Sequence, residues 1–455
     1  MRRRRVTRRQ FLAASAAGGT AIAATPARAQ APEVVPGKAR VPAILGGAPL
    51  RTRPFPSWPR FDEEDERAVL AVLRTGVWSR DRQVEEAERR FAELTGSPRC
   101  LMTCNGTNAI LTALLALGVG PGDEVVTTPY TFVATIQPIL LLGAMPVFAD
   151  VDPNTWQVDP ARLEARLTPT TRVLLPVHIL GGVCDMDRVG AVASSRGLKV
   201  VEDACEAHLA EWNGRKAGTL GDLGCFSFQT GKSLSCGEGG AILGRDPDLM
   251  DLCHSIHNLG RPRGRMPRDR GGYPVVASKS RMAEYQASLL ITRMRHVVEE
   301  TTLRAANAEY LSARLAQVPG IVPRRDYPQV TQKAFYYYGF RYRKQEFGGP
   351  SRDRFLAALQ AEGIPAAKGL GVIEDRGMNK EGLIGQALAS KAYGRVYPAA
   401  TLDRWAGDNE CPLSDRLCEE TVGFHQRLLL GTRADMDDIA NAIVKLHENR
   451  DALAG

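Results

Sequence analysis

The chain has 455 residues, 44% of them hydrophobic and 24% charged, with 44 glycines and 28 prolines. Those proportions fit a soluble enzyme of two domains or one large one, and they exclude a disordered tail, a coiled coil or a small disulfide scaffold. The formal charge of +8 does not mark a nucleic-acid binder, because seven arginines between positions 2 and 28 account for all but +1 of it. The other charges are interspersed as on an ordinary solvated surface, so neither nucleic acid nor an anionic membrane is an expected partner.

The first 29 residues read as targeting rather than fold. Arg2 to Arg5 lead into Thr7-Arg8-Arg9-Gln10-Phe11-Leu12 and an Ala-rich stretch to Ala24, and Ala27-Arg28-Ala29 has the small-x-small pattern of a cleavage site. The segment resembles a twin-arginine export signal. That implies cleavage before Gln30, passage through the twin-arginine machinery as a folded protein, and a periplasmic or otherwise exported location. A basic tail on a cytoplasmic protein is the alternative. The apolar run from Phe11 to Ala24 is too short to cross a bilayer core of about 30 Å as a helix, and no other stretch approaches a membrane span.

Residues 30–60, rich in Pro, Gly and Arg, predict an extended arm. Amphipathic stretches at 63–73 and 83–94 follow. Strand signals then fall at 100–103, 124–127, 144–148, 173–176, 199–202, 225–228 and 241–243, alternating with helical ones such as 109–117. Short apolar strands without polar alternation predict an α/β fold with a mostly parallel sheet covered by helices on both faces. A basic, Gly-rich loop occupies 261–272, and helical patterns run from 282 to about 317. A strand at 334–342, a helix at 352–362 and a last helix at 436–449 predict a smaller C-terminal α/β domain. The expected division is a large domain at 61–317 and a small one at 318–455. Nine cysteines, without a Cys-x-x-Cys pair, argue against a zinc ribbon and a full disulfide framework.

Chemistry concentrates where two apolar strands end. The strand from Lys199 finishes in Glu202-Asp203, and 29 residues beyond Asp203 the run Phe226-Ser227-Phe228 has led to Lys232, ahead of Gly237-Glu238-Gly239-Gly240. In open α/β sheets ligands sit beyond the carboxyl ends of strands, so Asp203, Ser227 and Lys232 should meet in one crevice. An Asp can keep a pyridinium nitrogen protonated, a lysine amine can bond to an aldehyde, and a serine beside Gly-rich backbone can hold a phosphate ester. Taken singly, a strand-end Asp or a Lys is usually structural, and a Phe in an apolar block is usually core. Thr230-Gly231-Lys232-Ser233 imitates the end of a P-loop, but Phe226 occupies the position of its first glycine. No His cluster has metal-ligand spacing, and Asp185-Met186-Asp187 reads as a helix-start cap.

Glu202-Asp203-Ala204-x-x-Ala207-His208 and Phe226-Ser227-Phe228-x-x-x-Lys232-x-Leu234-x-x-Gly237-Glu238-Gly239-Gly240 occur in order with Cys104-Asn105-Gly106-Thr107-Asn108-Ala109 and blocks at 120–125, 130–135, 143–150 and 176–178. This series resembles the DegT/StrS family of pyridoxal-phosphate-dependent sugar aminotransferases, within the fold-type I class. The resemblance runs from about Gly46 to the C-terminus. It implies pyridoxal 5′-phosphate as cofactor, a seven-stranded sheet in the large domain, and a homodimer with sites at the subunit interface. It implies Lys232 as Schiff-base lysine and proton carrier, Asp203 as the pyridinium partner, and Phe132 as the aromatic stacked on the ring. Gly106 and Thr107 at a helix start, with Ser227, would bind the phosphate. The implied reaction moves the amino group of L-glutamate or L-glutamine to a keto-sugar or keto-cyclitol. His178 and His208 lie in matching blocks and stand open between contact and packing.

Three departures qualify the match. Glu206 stands where the family commonly has a Gln that contacts the cofactor's phenolic oxygen, so an acid there would be protonated or would weaken the contact. Gln229 replaces a frequent His three residues before the lysine. Lys279-Ser280-Arg281-Met282 replaces Asn-x-Arg-Met, whose Asn reaches the neighbouring subunit's phosphate; Lys279 would pair with that phosphate as a point charge or be solvated. A non-catalytic sensor or scaffold that binds the cofactor or a sugar, and a sugar dehydratase, are the competing readings. Retention of Lys232 with Asp203 weighs against both. The export signal sits poorly with cytoplasmic nucleotide-linked sugars, which favours a free or cell-envelope sugar or an uncleaved signal.

Overall fold

The computed structural model describes residues 40–266, 272–369 and 376–454. The expected export signal, the first part of the arm and the middle of the basic loop lie outside those residues. Nine strands precede residue 245 among the described residues: β1 (Arg99–Thr103), β2 (Glu124–Thr127), β3 (Met145–Phe148), β4 (Thr171–Leu174), β5 (Lys199–Asp203), β6 (Glu211–Trp212), β7 (Arg215–Lys216), β8 (Leu223–Ser227) and β9 (Gly240–Gly244). Seven of them form one sheet in the order β1-β9-β8-β5-β4-β2-β3. Only β9 runs against its neighbours; β2, β3, β4, β5 and β8 pair in parallel, and β1 shares their direction. All seven expected strand segments lie in this sheet.

These segments form central strands because both of their faces are buried. Leu101, Val125, Val201, Cys225 and Ile242 point to one side, into a core shared with Ala109, Ile110 and Ala113 of the helix Gly106–Ala116. Met102, Phe226 and Ala241, one residue out of phase, meet Phe91 and Leu290 from the helices Arg82–Thr95 and Glu284–Met294 on the other side. Period-2 side-chain direction with apolar residues at every position is what a two-sided sheet requires.

A second sheet is antiparallel: β10 (Ile321–Pro323), β12 (Tyr337–Tyr342), β14 (Thr421–His425) and β13 (Ala367–Lys368), in the order β10-β12-β14-β13. Between β10 and β12, β11 (Val330–Gln332) pairs with β6 instead. The helices Val297–Leu315, Arg352–Ala361 and Arg433–Glu448 pack on the second sheet. The arm is strapped to this unit: Arg51 donates to Asp435 and Asp438, both at 2.7 Å, and Phe55 is buried in the same core.

The stretch 376–420, placed by the sequence in the small domain, packs differently. Tyr393, Tyr397, Trp405, Cys411 and Leu417 join the core of the large sheet. Their elements shield the free edge of β3, where Tyr393 donates to Ala144 O (2.7 Å), Trp405 donates to Pro146 O (2.9 Å) and Asn409 accepts from Phe148 N (2.7 Å). Side chains there satisfy edge groups that would otherwise pair with another strand. No helix among the described residues is long and apolar enough to cross a membrane.

Candidate active site

The parallel strands all point their carboxyl ends at one rim of the large sheet, and a cavity of about 420 Å³ opens there. At one end of it, β1 turns through Asn105 into the helix Gly106–Ala116, which starts three residues before the expected Ala109. Asn105 is extended and its side chain accepts the Asn108 N–H at 2.8 Å, a cap that fixes the start. The N–H groups of Gly106 and Thr107, in the first turn, have no intrahelical partner and carry the positive end of the helix. A Cβ on Gly106 would lie 2.8 Å from both Cys205 Sγ and Ser227 Cβ, so only glycine lets this turn sit against β8. Ser227, the buried last residue of β8, adds its hydroxyl to the same corner.

Asp203, the last residue of β5, forms the floor and is 5% exposed. Its Oδ2 accepts the Thr135 hydroxyl at 2.8 Å and its Oδ1 accepts the Cys205 N–H at 3.2 Å. Thr131 and Thr135 hydroxyls are 2.7 Å apart, so the carboxylate is held from behind by a short hydroxyl chain. Phe132, 38% exposed, precedes the helix Val133–Leu141 and lines the cavity, an aromatic side chain able to cover a planar ligand.

Lys232 sits on the β8–β9 loop and is buried. Its Nζ is 3.3 Å from Glu206 Oε1 and 3.9 Å from the centre of the Tyr336 ring. Glu206 Oε2 accepts the N–H of Leu180 at 2.8 Å, a residue held at a φ of 58°. Burial pushes the Glu206 carboxyl upward; burial pulls Lys232 down most strongly of any single cause, but Glu206, Tyr336, Cys205 and Asp203 together outweigh it and the net direction is up. Burial also raises Tyr336 to about 12.

Three successive carbonyls of the lysine loop are bound from outside the large sheet. Trp58 Nε1 of the arm donates to Thr230 O (3.0 Å) and Lys232 O (3.1 Å), and His425 Nε2 at the end of β14 donates to Gly231 O (3.1 Å). His425 Nδ1 accepts the Arg427 N–H at 3.3 Å, which places the single proton on Nε2. Burial accordingly holds this imidazole at about 4.

The structure therefore brings together Gly106, Thr107, Phe132, Asp203, Glu206, Ser227 and Lys232 around one cavity. Lys279 is not among its lining; it is exposed and bridges Asn258. The two open histidines also lie outside the lining. His178 Nε2 meets Glu202 Oε2 at 2.8 Å while its Nδ1 accepts the Cys184 N–H, and His208, held at about 3 by burial, bonds Ser227 O at 2.9 Å. Both brace strand ends. Tyr336, Thr135, Trp58 and His425 escaped the sequence reading. Thr135 lies inside the block 130–135 and Tyr336 opens a run of three tyrosines, but nothing local marks Trp58 or His425.

A buried amine, a braced carboxylate and a helix-end anion cradle, set along one aromatic-walled cavity at the rim of this sheet, define a pyridoxal-phosphate-type transferase site. Residues 59–369 match the DegT/DnrJ/EryC1/StrS aminotransferase family, and the chain belongs to it. That family depends on pyridoxal phosphate, and the protein is an aminotransferase. The L-glutamine:2-deoxy-scyllo-inosose aminotransferase of Streptoalloteichus tenebrarius is 35% identical over 430 residues, covering 89% of this chain and 97% of that one. The enzyme of the same name from Streptomyces kanamyceticus is 35% identical over 428 residues, with 90% and 98% covered. A crystal structure of 3-amino-5-hydroxybenzoic acid synthase is similar with a TM-score of 0.74 at 30% identity, covering 86% of this chain and 98% of that one.

Proposed function

We propose that this aminotransferase moves the amino group of L-glutamine, or of L-glutamate, onto the ring carbonyl of a keto-cyclitol, within the wider class of keto-sugars. The observation that carries the reading is the buried Lys232 amine inside the cavity that Asp203 floors. The names of the relatives supply the donor and the acceptor class.

The donor set fits pyridoxal phosphate. The Gly106 and Thr107 N–H groups with the Ser227 hydroxyl would hold its phosphate, Asp203 its ring nitrogen and Phe132 one ring face. When bound, the group supplies an electron sink that lets a C–H bond next to nitrogen ionise. Asp203, braced by Thr135, would keep the ring nitrogen protonated and so keep that sink deep. Lys232 Nζ, the buried amine beside that position, would serve as the base that takes the donor's proton and as the acid that gives one to the acceptor. The Tyr336 ring lies 3.9 Å from the amine and covers it from one side.

The reading extends to assembly and address. Lys279, exposed and off its own cavity, would face the phosphate of a second copy in a homodimer. The Arg-rich leader would send the folded protein out by the twin-arginine route, and an intact mass beginning at Gln30 in the exported fraction would support that part.

The test is an absorption spectrum of the purified protein with pyridoxal phosphate, before and after L-glutamine or L-glutamate, beside Lys232→Ala. The expected result is a visible band of lysine-linked cofactor that the donor converts to the amine form, absent in the variant. Mass spectrometry with a keto-cyclitol should then detect the aminated ring. A wild type without the band overturns catalysis by Lys232; a band that neither donor discharges favours a binder or a dehydratase.

A further inference from the structure

The proposed reaction, on which this inference rests, needs Lys232 as a neutral amine, so a buried ammonium must first pass its proton to a neighbouring group. Lys232 is 9% exposed and its Nζ lies under the Tyr336 ring. Among the described residues lining the cavity it is the sole cation. Glu206 Oε1, at 3.3 Å, is the hydrogen-bond acceptor in its reach. Asp203 already accepts from Thr135 and Cys205, and the Tyr336 phenol, raised to about 12, is not a proton acceptor at neutral pH. The groups facing Glu206 are Lys232, Asp203, Tyr130, Tyr336 and Tyr337, of which only Lys232 is cationic. Leu180 N–H holds the second carboxylate oxygen, so the first is aimed at the amine.

We propose that Glu206 is the proton acceptor of Lys232: a carboxylate while the lysine nitrogen is a free ammonium, and a neutral carboxylic acid while that nitrogen is bonded to a carbonyl carbon. One Nζ–H bond breaks, its electron pair stays on nitrogen, and the proton passes to Glu206 Oε1. The amine lone pair then forms the C–N bond to the aldehyde carbon. The carbonyl oxygen leaves as water with the two remaining Nζ protons, which yields C=N and balances every atom. When a substrate amine displaces Lys232, its two protons pass to Nζ while Glu206 keeps its own, so the released lysine is a neutral amine able to take the proton from the donor carbon. Burial, which pushes the Glu206 carboxyl upward, makes the neutral form accessible.

The experiment is an infrared difference spectrum between the protein without cofactor and the same protein loaded with pyridoxal phosphate, in H2O and D2O. Borohydride reduction and peptide mass on the same samples report whether Lys232 is modified. The expected result is a deuterium-sensitive carboxylic acid C=O band that appears on loading and is lost in Glu206→Gln, whose amide oxygen still accepts from Leu180. Lys232 modified in the wild type without that band, or the band retained in Glu206→Gln, overturns the proposal and leaves the transaminase reading standing. An unmodified Lys232 in the wild type overturns both.

Discussion

The two ends of the cavity are built by different means. The phosphate end is built within the large domain: the β1–helix turn at Asn105–Thr107 lies on the end of β8, fitted by Gly106, and Cys104 N–H is held by Ser280 O at 2.7 Å. The lysine end is a loop whose carbonyls are held by Trp58, before the first strand, and by His425, at the end of the last one, while Tyr336 covers the amine. Affinity for an anion is thus set by local geometry, and the placement of the reactive nitrogen depends on how the arm and the antiparallel unit close on the large sheet.

Substitutions can separate these ends. Lys232→Ala should have the largest effect, a loss of about 10⁴-fold or more in the glutamine half-reaction, at or beyond the upper range of acid–base contributions, followed by stopped-flow absorption. Gly106→Ala should damage the other end: crowding against Cys205 and Ser227 at 2.8 Å costs about 1–3 kcal/mol, or roughly 5- to 150-fold in cofactor Kd by titration. Equal cofactor affinity in that variant would break the distinction. Thr135→Val removes a hydrogen bond to a charged acceptor, about 1.5–3 kcal/mol, and should slow the half-reaction more than it weakens cofactor binding. Trp58→Phe removes one neutral donor, about 0.5–1.5 kcal/mol, and should act on rate alone; a matching loss of cofactor affinity would show the two ends to be one unit.

The smallest effect concerns pH. Burial lowers His425 from 6.5 to about 4, so between those values the unfolded chain takes up a proton that the folded loop refuses. Stability therefore falls as pH drops from 6.5 toward 4 and is unaffected by this group above 6.5. His425→Gln should flatten part of that slope in melting temperature against pH. It removes only a share, because burial also lowers His208 and His254 to about 3 and His257 to about 4, in the same window.

The same contrast explains what could be read from the sequence. All seven large-sheet strands were legible because burial on both faces leaves an unbroken apolar run, as in Val125-Val126 and Val200-Val201. Asp203, Ser227 and Lys232 were legible because strand ends carry them to one rim. The helix start was misplaced by three residues, because Gly106-Thr107-Asn108 has weak helix propensity and the Asn105 cap decides the matter. The helices of 382–420 carry the same amphipathic signal whichever core they join, and only the bare edge of β3 selects one. Trp58 and His425 act over separations of about 170 and 190 residues, where no local pattern exists.

The grip on the lysine loop also sets an order of assembly during synthesis. Residue 58 leaves the ribosome well before residue 232, but its companion at 425 follows Gly231 by 194 residues. A growing chain can therefore possess a finished anion cradle while its nucleophile is still loosely placed. The reactive amine is the last part of the site to be locked, so unfinished chains have little means of consuming the cofactor's aldehyde.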